Sequence, residues 1–340
     1  MKIRHIIAGL AASVCLLLAS NGSSTDANAA SQYVMNFGTV APNGTPWSDQ
    51  LSAIKKRVEK ESNGAIKIKL FLGGALGSEI EMIQDVRRGE RLQGGGFSTG
   101  AVGEALDIPV LQMVELPFLF KNNEHADKIL DNVLYEPTQN ALAEKGITFY
   151  AWTENGWRNF ATIGGAATSP EELRKYKMRS QESPVHLNMY KSMGVQAVAK
   201  PVSEVLPSLN TGIVTGFDNT PLFSLAAGWL NPVSHYTLSR HIYQPAAVVY
   251  AKSFMESLPQ ELQQVLMKDS VEEGKKGRNS VRSMENTLLS SIRAMGKEVI
   301  ELSPEQRKAF RRAVRKKTHA AFLEDNPEMS ALYQQIKMNK

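Results

Sequence analysis

The stretch Ala65–Arg88, AIKIKLFLGGALGSEIEMIQDVRR, changes its apolar period once, and that change decides the fold. In Ala65–Leu72 apolar residues alternate with charged ones, the period of a half-exposed strand. In Glu79–Arg88, Ile80, Ile83 and Val86 recur at helical spacing. The same alternation extends outward. Tyr33–Val40 reads as a strand, APNGTPW as a turn-rich loop, and Ser48–Glu61 as a helix through Leu51, Ile54 and Val58. Downstream, Ile147–Trp152 and Gln196–Lys200 read as strands with a helix through His186–Met193 between them, and Ala246–Ala251 as a buried strand. Such alternation predicts an α/β fold around a mostly parallel sheet. Pro259–Met295 then reads as nearly continuous helix interrupted by Gly274 and Gly277, and Pro304–Leu323 as another helix.

The 340 residues suffice for two domains, and 42% hydrophobic with 21% charged residues is a globular composition. The net charge of +5 is mild, and acids and bases interleave, so no nucleic-acid partner is implied. The main exception is Arg307–Lys317, RKAFRRAVRKK. Its apolar Ala309, Phe310, Ala313 and Val314 recur at helical spacing, which reads as a helix with a solvated basic face; a membrane-surface or partner contact is the alternative. The N-terminus, MKIRHIIAGLAASVCLLLAS, places Lys2 and Arg4 before a short apolar run, with small residues at Ala27-Asn28-Ala29. That is the layout of a cleaved signal peptide over residues 1–29, and it predicts an exported, periplasmic protein. The only cysteine, Cys15, lies inside it behind Val14 rather than a small residue, which argues against lipid attachment. The mature chain is then expected to lack disulfides and thiol chemistry.

Gln93–Gly100, QGGGFSTG, contains Gly96-Phe97-Ser98-Thr99-Gly100, a match to the G-x-S-x-G of serine hydrolases. The context argues against a nucleophile at Ser98. Three glycines weaken the preceding strand, Ala101–Leu106 reaches Pro109 before a full helix can form, and no HGGG-like segment lies upstream. The stretch lacks the G-K-[ST] ending of a phosphate loop. His125, His186, His235, His241 and His319 are scattered without metal-ligand spacing, and His235 and His241 read as polar loop residues. No cofactor is predicted, and the chain is not expected to be an enzyme. Arginine offers the better lead. Arg158 follows the strand ITFYAW, hence a strand's carboxyl end, and Arg179 lies in KYKMRSQES beside a short buried strand. A guanidinium stays charged and can donate two parallel hydrogen bonds to a carboxylate.

Segments running through most of the chain, among them VAPNGTPW, ELPFLFKNNEHADKIL, ENGWRNF, LRKYKMRSQES, VSEVLPSLNTGIVTGFDNTP and SFMESLPQELQQVL, resemble one family in content and order. It is the DctP-type periplasmic solute-binding subunit of TRAP (tripartite ATP-independent periplasmic) transporters, also called bacterial extracellular solute-binding protein family 7. The resemblance implies a two-lobed α/β fold, type II-like, with a long helix spanning both lobes. Lobe I is expected over 30–155 plus 245–284, and lobe II over 156–244 plus 285–340. It implies capture of an organic acid anion and its delivery to small and large membrane permease subunits. By the family's pattern Arg179 salt-bridges the carboxylate, Arg158 is a second anion contact, and Asn219 a polar clamp. Ser98 and Thr99 fall where the first lobe lines the cleft, and its glycines are expected to leave room for a ligand. The chain departs from the pattern in carrying Thr215 for the usual aspartate and Phe217-Asp218 for the usual Q-E. Phe217 and Trp157, with Trp152, Phe223 and Trp229, are expected near the cleft, suited to an apolar or aromatic ligand body. The alternatives are an exported serine hydrolase using Ser98 and a binding protein for a neutral hydrophobic solute.

Overall fold

The computed structural model describes residues 33–339; the signal segment 1–29 and Cys15 lie outside them. Among the described residues nine strands form: β1 (Tyr33–Gly38), β2 (Ile66–Phe71), β3 (Gly94–Ser98), β4 (Ile147–Thr162), β5 (Lys177–Ser180), β6 (Gln196–Ala199), β7 (Gly216–Asn219), β8 (His235–Ala251) and β9 (Glu298–Glu301). Their order is β2-β1-β3-β8-β4-β7-β5-β6, with β9 also on β8. The two ends are parallel, as the strand–helix alternation requires. The centre is not: β8 runs antiparallel to β3 and β4, and β4 to β7.

That centre is two strands of 16 and 17 residues, β4 and β8, far longer than ITFYAW and AAVVYA. Arg158 is expected just past the end of ITFYAW and His241 in a loop, yet both are buried within the strands, as are Glu154 and Asn155. Glu154, Asn155 and Arg158 find side-chain partners on β8, and His241 finds Ser239 on its own strand, so the ladder runs on through them. Arg158 therefore lies inside β4 rather than beyond a strand end. The pairing slips between Glu154 and Gly156 and again between Arg158 and Phe160. Gly156 sits at φ +106, a conformation open to glycine, and such bulges bend a strand. One half of each strand joins the β3 side and the other half the β7 side, so β4 and β8 connect the two lobes.

Local signals place the flanking helices. Glu79–Arg88 is capped by Ser78 in a reciprocal box with Glu81 and stopped by Gly89 at φ 72. Pro46–Glu61 starts from Thr45 with Pro46 in its first turn and buries Trp47, Leu51, Ile54 and Val58 against the sheet. The helical run after β8 has three pieces, Gln260–Met267, Ser270–Ser283 and Glu285–Ala294. Gly274 and Gly277 do not interrupt it. They lie buried inside Ser270–Ser283, and the breaks fall at Lys268–Asp269 and Met284. The glycines instead permit close packing. A Cβ on Gly274 would meet the Trp152 carbonyl at 2.5 Å, and one on Gly277 the Gln50 amide at 2.3 Å. Arg282, at the end of the same helix, bonds Asp127, Glu154 and the Tyr243 hydroxyl, which ties the helix to both central strands.

Gly274→Ala is expected to destabilise the protein by about 1–3 kcal/mol, since the obstructing atom is backbone and cannot swing away. Urea denaturation reads the change. An unaltered midpoint would show that the helix is not seated this closely.

Candidate functional site

The carboxyl ends of β3, β5 and β7 converge on the middles of β4 and β8, and the narrow cleft there has a volume of about 30 Å³. Open α/β sheets collect ligands at such strand ends. Of the residues singled out in the sequence, Arg158, Arg179, Asn219 and Ser98 line this cleft, together with Phe223 and Trp229. Thr99, Phe217 and Trp157 do not. Thr99 is fully buried behind it, bonded to Glu115 and to the Pro245 carbonyl. Phe217 faces the core, where its ring meets Trp229 edge-on at 5.3 Å. Trp157 lines a separate crevice with Glu154 and Arg282 and donates to Asn123. Trp152 is likewise core, donating to the Leu130 carbonyl. Thr215 caps the start of β5 through the Lys177 N–H, away from the cleft.

The two arginines differ. Arg158 is fully engaged: Nε donates to Asp218 Oδ2 at 2.6 Å, Nη2 to the Asp218 carbonyl, and Nη1 to Gln244 and Gln181 at 2.8 and 3.1 Å. Burial pulls its pKa down, but Asp218 outweighs burial and raises it. Asp218 is held well below the usual carboxylate range against its own burial, chiefly by Arg158. Tyr190 donates to the other Asp218 oxygen at 2.6 Å. Arg179 has only the Lys200 carbonyl, at 3.0 Å from Nε and 2.6 Å from Nη2, and the face of Trp229 at 5.1 Å. Among the described residues no carboxylate lies within ion-pair distance of it. Burial first, then the like charge of Arg158, pulls Arg179 down to about 10. A buried guanidinium in that state attracts an anion.

Seven wall residues escaped the sequence reading, among them Glu79, Gln181, Gln244 and Trp47. Glu79, the first residue of its helix, accepts from the Ser98 N–H at 2.6 Å and hydroxyl at 2.9 Å. Burial pushes its carboxyl up to about 7, only partly offset by these bonds. Gln181 and Gln244 bond each other at 2.7 Å and bracket Arg158. Trp47 lines the cleft with a buried indole N–H that has no partner among the described residues. Behind the wall Glu115, fully buried, accepts from Thr99 and the Gly100 N–H on the β3 side and from Gln181 and Gln244 across the cleft, with His186 Nε2 at 2.7 Å. It was visible as the one carboxylate in the apolar run Ile108–Phe120.

The sequence denies Ser98 a following helix, but the structure supplies one. β3 ends at Ser98 and Thr99–Leu106 is helical, with Pro109–Met113 a second short helix beyond it. The glycine-rich strand persists because its neighbours fill the space beside it. A Cβ on Gly94 would meet the Phe37 ring at 2.4 Å, and one on Gly96 the Trp47 nitrogen at 2.6 Å. Protein rather than ligand accounts for these glycines. The Ser98 hydroxyl is held by Glu79, while His186 is engaged by Glu115 and His241 by Ser239, so no base is poised on the serine. Among the described residues no group of three His, Cys, Asp or Glu side chains is placed to hold a metal.

The model of bacterial extracellular solute-binding protein family 7, DctP, matches residues 37–325. The chain belongs to this family. It is a solute-binding protein of the TRAP type, not an enzyme. It is 28% identical to the 2,3-diketo-L-gulonate-binding periplasmic protein YiaO of Escherichia coli over 82% of this chain and 84% of that one. It is 26% identical to the C4-dicarboxylate-binding periplasmic protein DctP of Rhodobacter capsulatus, over 91% of each. A TRAP periplasmic solute-binding protein from Sulfitobacter sp. NAS-14.1, solved with β-D-galacturonate, superposes with a TM-score of 0.83 at 27% identity, covering 88% of this chain and 98% of that one. Among the described residues no helix is long and apolar enough to cross a membrane.

Asp218→Asn, which strips Arg158 of its counter-charge, is expected to cost about 3–5 kcal/mol in denaturant unfolding. Arg158→Met with Asp218→Leu should cost less than the two single changes added together. Simple additivity would show that the pair is not the unit described.

Proposed function

We propose that this protein captures the anion of a sugar acid in the periplasm, after cleavage of its signal peptide, and delivers it to the small and large membrane subunits of a TRAP transporter. The observation that carries this reading is Arg179, buried in the cleft wall with a carbonyl and an aromatic face for company and, among the described residues, no carboxylate paired to it. The ligand carboxylate completes it with two parallel charge-assisted hydrogen bonds. Arg158, already satisfied by Asp218, supports that site electrostatically and holds Asn219 and Gln244 in place rather than taking the main salt bridge.

The rest of the wall favours a hydroxylated body over a second carboxylate. Glu79, Ser98, Asn155, Gln181 and Asn219 offer acceptors and donors suited to hydroxyls, and the Trp47 N–H is free to donate to an oxygen. Phe223 and Trp229 present ring surface against which the C–H face of a sugar packs. A dicarboxylate would set its second charge in the same small cleft as Glu79, at a Coulomb cost. The sugar acids named for the YiaO and Sulfitobacter proteins agree with this class. Because the ligand meets β3-side and β5-side residues together, binding favours the closed arrangement of the lobes.

Calorimetry against hexuronates, aldonates and C4-dicarboxylates should find a sugar acid bound most tightly. Arg179→Lys, which loses the planar fork, should weaken it by at least about 10-fold. Unchanged affinity would overturn the assignment. Glu79 gives the pH dependence its sign. An incoming anion favours the protonated carboxyl, so affinity should fall as pH rises through about 7. Glu79→Gln should flatten that profile, and a profile with the same slope in the variant would remove Glu79 from the site.

A further inference from the structure

Charge is distributed unevenly in a way the solute site does not use. The chain's net charge is +5, and Arg307–Lys317 alone supplies seven positive charges and no negative one, so everything else sums to −2. The segment lies in the helix Pro304–Asp325, which turns Phe310, Val314 and Phe322 into the protein. The opposite face carries Lys308, Arg311, Arg312, Arg315 and Lys316, one or two cations per turn. Among the described residues none of these five takes part in an ion pair, although twenty such pairs occur elsewhere in the chain. Only Arg307 at the edge serves the fold, donating to the Arg240 carbonyl and lying over the Phe118 ring.

The basic face borders an open trough of about 750 Å³ that continues to Lys337 on the last helix, Ser330–Met338. Its floor is mainly apolar, with Ala320, Leu323 and Tyr333, and Met338 projects beyond it with 75% of its surface exposed. From Lys308 to Leu323 the strip measures about 22 Å at the helical rise.

We propose that this face docks the protein on an anionic phospholipid surface. A row of unpaired cations spread along an exposed helix matches an extended sheet of negative headgroups, which meets all of them at once. The arginine and lysine stems can lie over the apolar floor while their charged ends reach the phosphates. A single small anion would find no enclosure here, because the trough is open and the cations diverge along the helix. Docking by this face holds the binding protein close to the membrane in a fixed orientation, whatever solute it carries.

The test is co-sedimentation of the purified protein with vesicles of phosphatidylglycerol and phosphatidylcholine, and with phosphatidylcholine alone. Binding is expected to the mixed vesicles at low salt, to weaken steeply as salt is added, and to be absent on phosphatidylcholine. The combined Arg311→Glu, Arg312→Glu and Lys316→Glu variant should bind at least about 10-fold less. Arg311→Lys with Arg312→Lys should retain binding. All three positions are exposed, so solute affinity by calorimetry should stay at the wild-type value, which separates lost docking from lost folding. Equal vesicle binding by the charge-reversed variant would overturn the proposal, as would no wild-type binding to anionic vesicles. Displacement by soluble glycerol phosphate at the same headgroup concentration would also overturn it, in favour of a small-anion site.

Discussion

Burying a guanidinium is costly unless an anion compensates it, and this protein compensates one of its two cleft arginines and leaves the other. Asp218 takes Arg158 through its carboxylate and its own carbonyl, while Tyr190 and the nearby His241 complete the pocket around the acid. The positive charge left uncompensated is then that of Arg179, only two residues after the start of β5 and backed by Trp229. The remaining features of the cleft follow from that asymmetry. Gln181 and Gln244 are oriented by Arg158 and by Glu115, and they form the polar rear wall in front of which a carboxylate can meet Arg179.

The long central strands make this arrangement possible. β4 delivers Asn155 and Arg158, and β8 delivers Gln244, to a point where strands from both lobes end. A strand can carry such polar residues through a protein interior only if their side chains are satisfied there. Here they satisfy each other, so the network that builds the binding wall also holds together the ladder that links the lobes. The Gly156 bulge and the cluster around Arg282 lie at the same crossing, with Ser270–Ser283 clamped over it by its two buried glycines.

Much of this was legible from residues alone. Period changes located most helices and the outer strands, and the chemistry of arginine picked out Arg158 and Arg179. What failed was anything that depends on pairing between distant segments. ENGWRNF reads as lying past the end of the strand ITFYAW because charged and amide residues suit strands poorly, and only the partners supplied by β7 and β8 make it strand. Thr99 follows the cleft residue Ser98 but opens the helix Thr99–Leu106 and turns to Glu115, while Phe217, two residues before Asn219, is drawn into the core against Trp229. QGGGFSTG misled twice: its glycines accommodate Phe37 and Trp47, and its serine does precede a helix. Glu79 stood at a capped helix start, where an acid is ordinary, and nothing local marked it as part of the cleft.

The most direct measurement is a crystal structure of the protein with the sugar acid it binds most tightly. Both carboxylate oxygens are expected on the Arg179 guanidinium at about 2.8 Å, with Arg158 still paired to Asp218. A carboxylate held by other donors, with Arg179 left on the Lys200 carbonyl alone, would contradict this assignment.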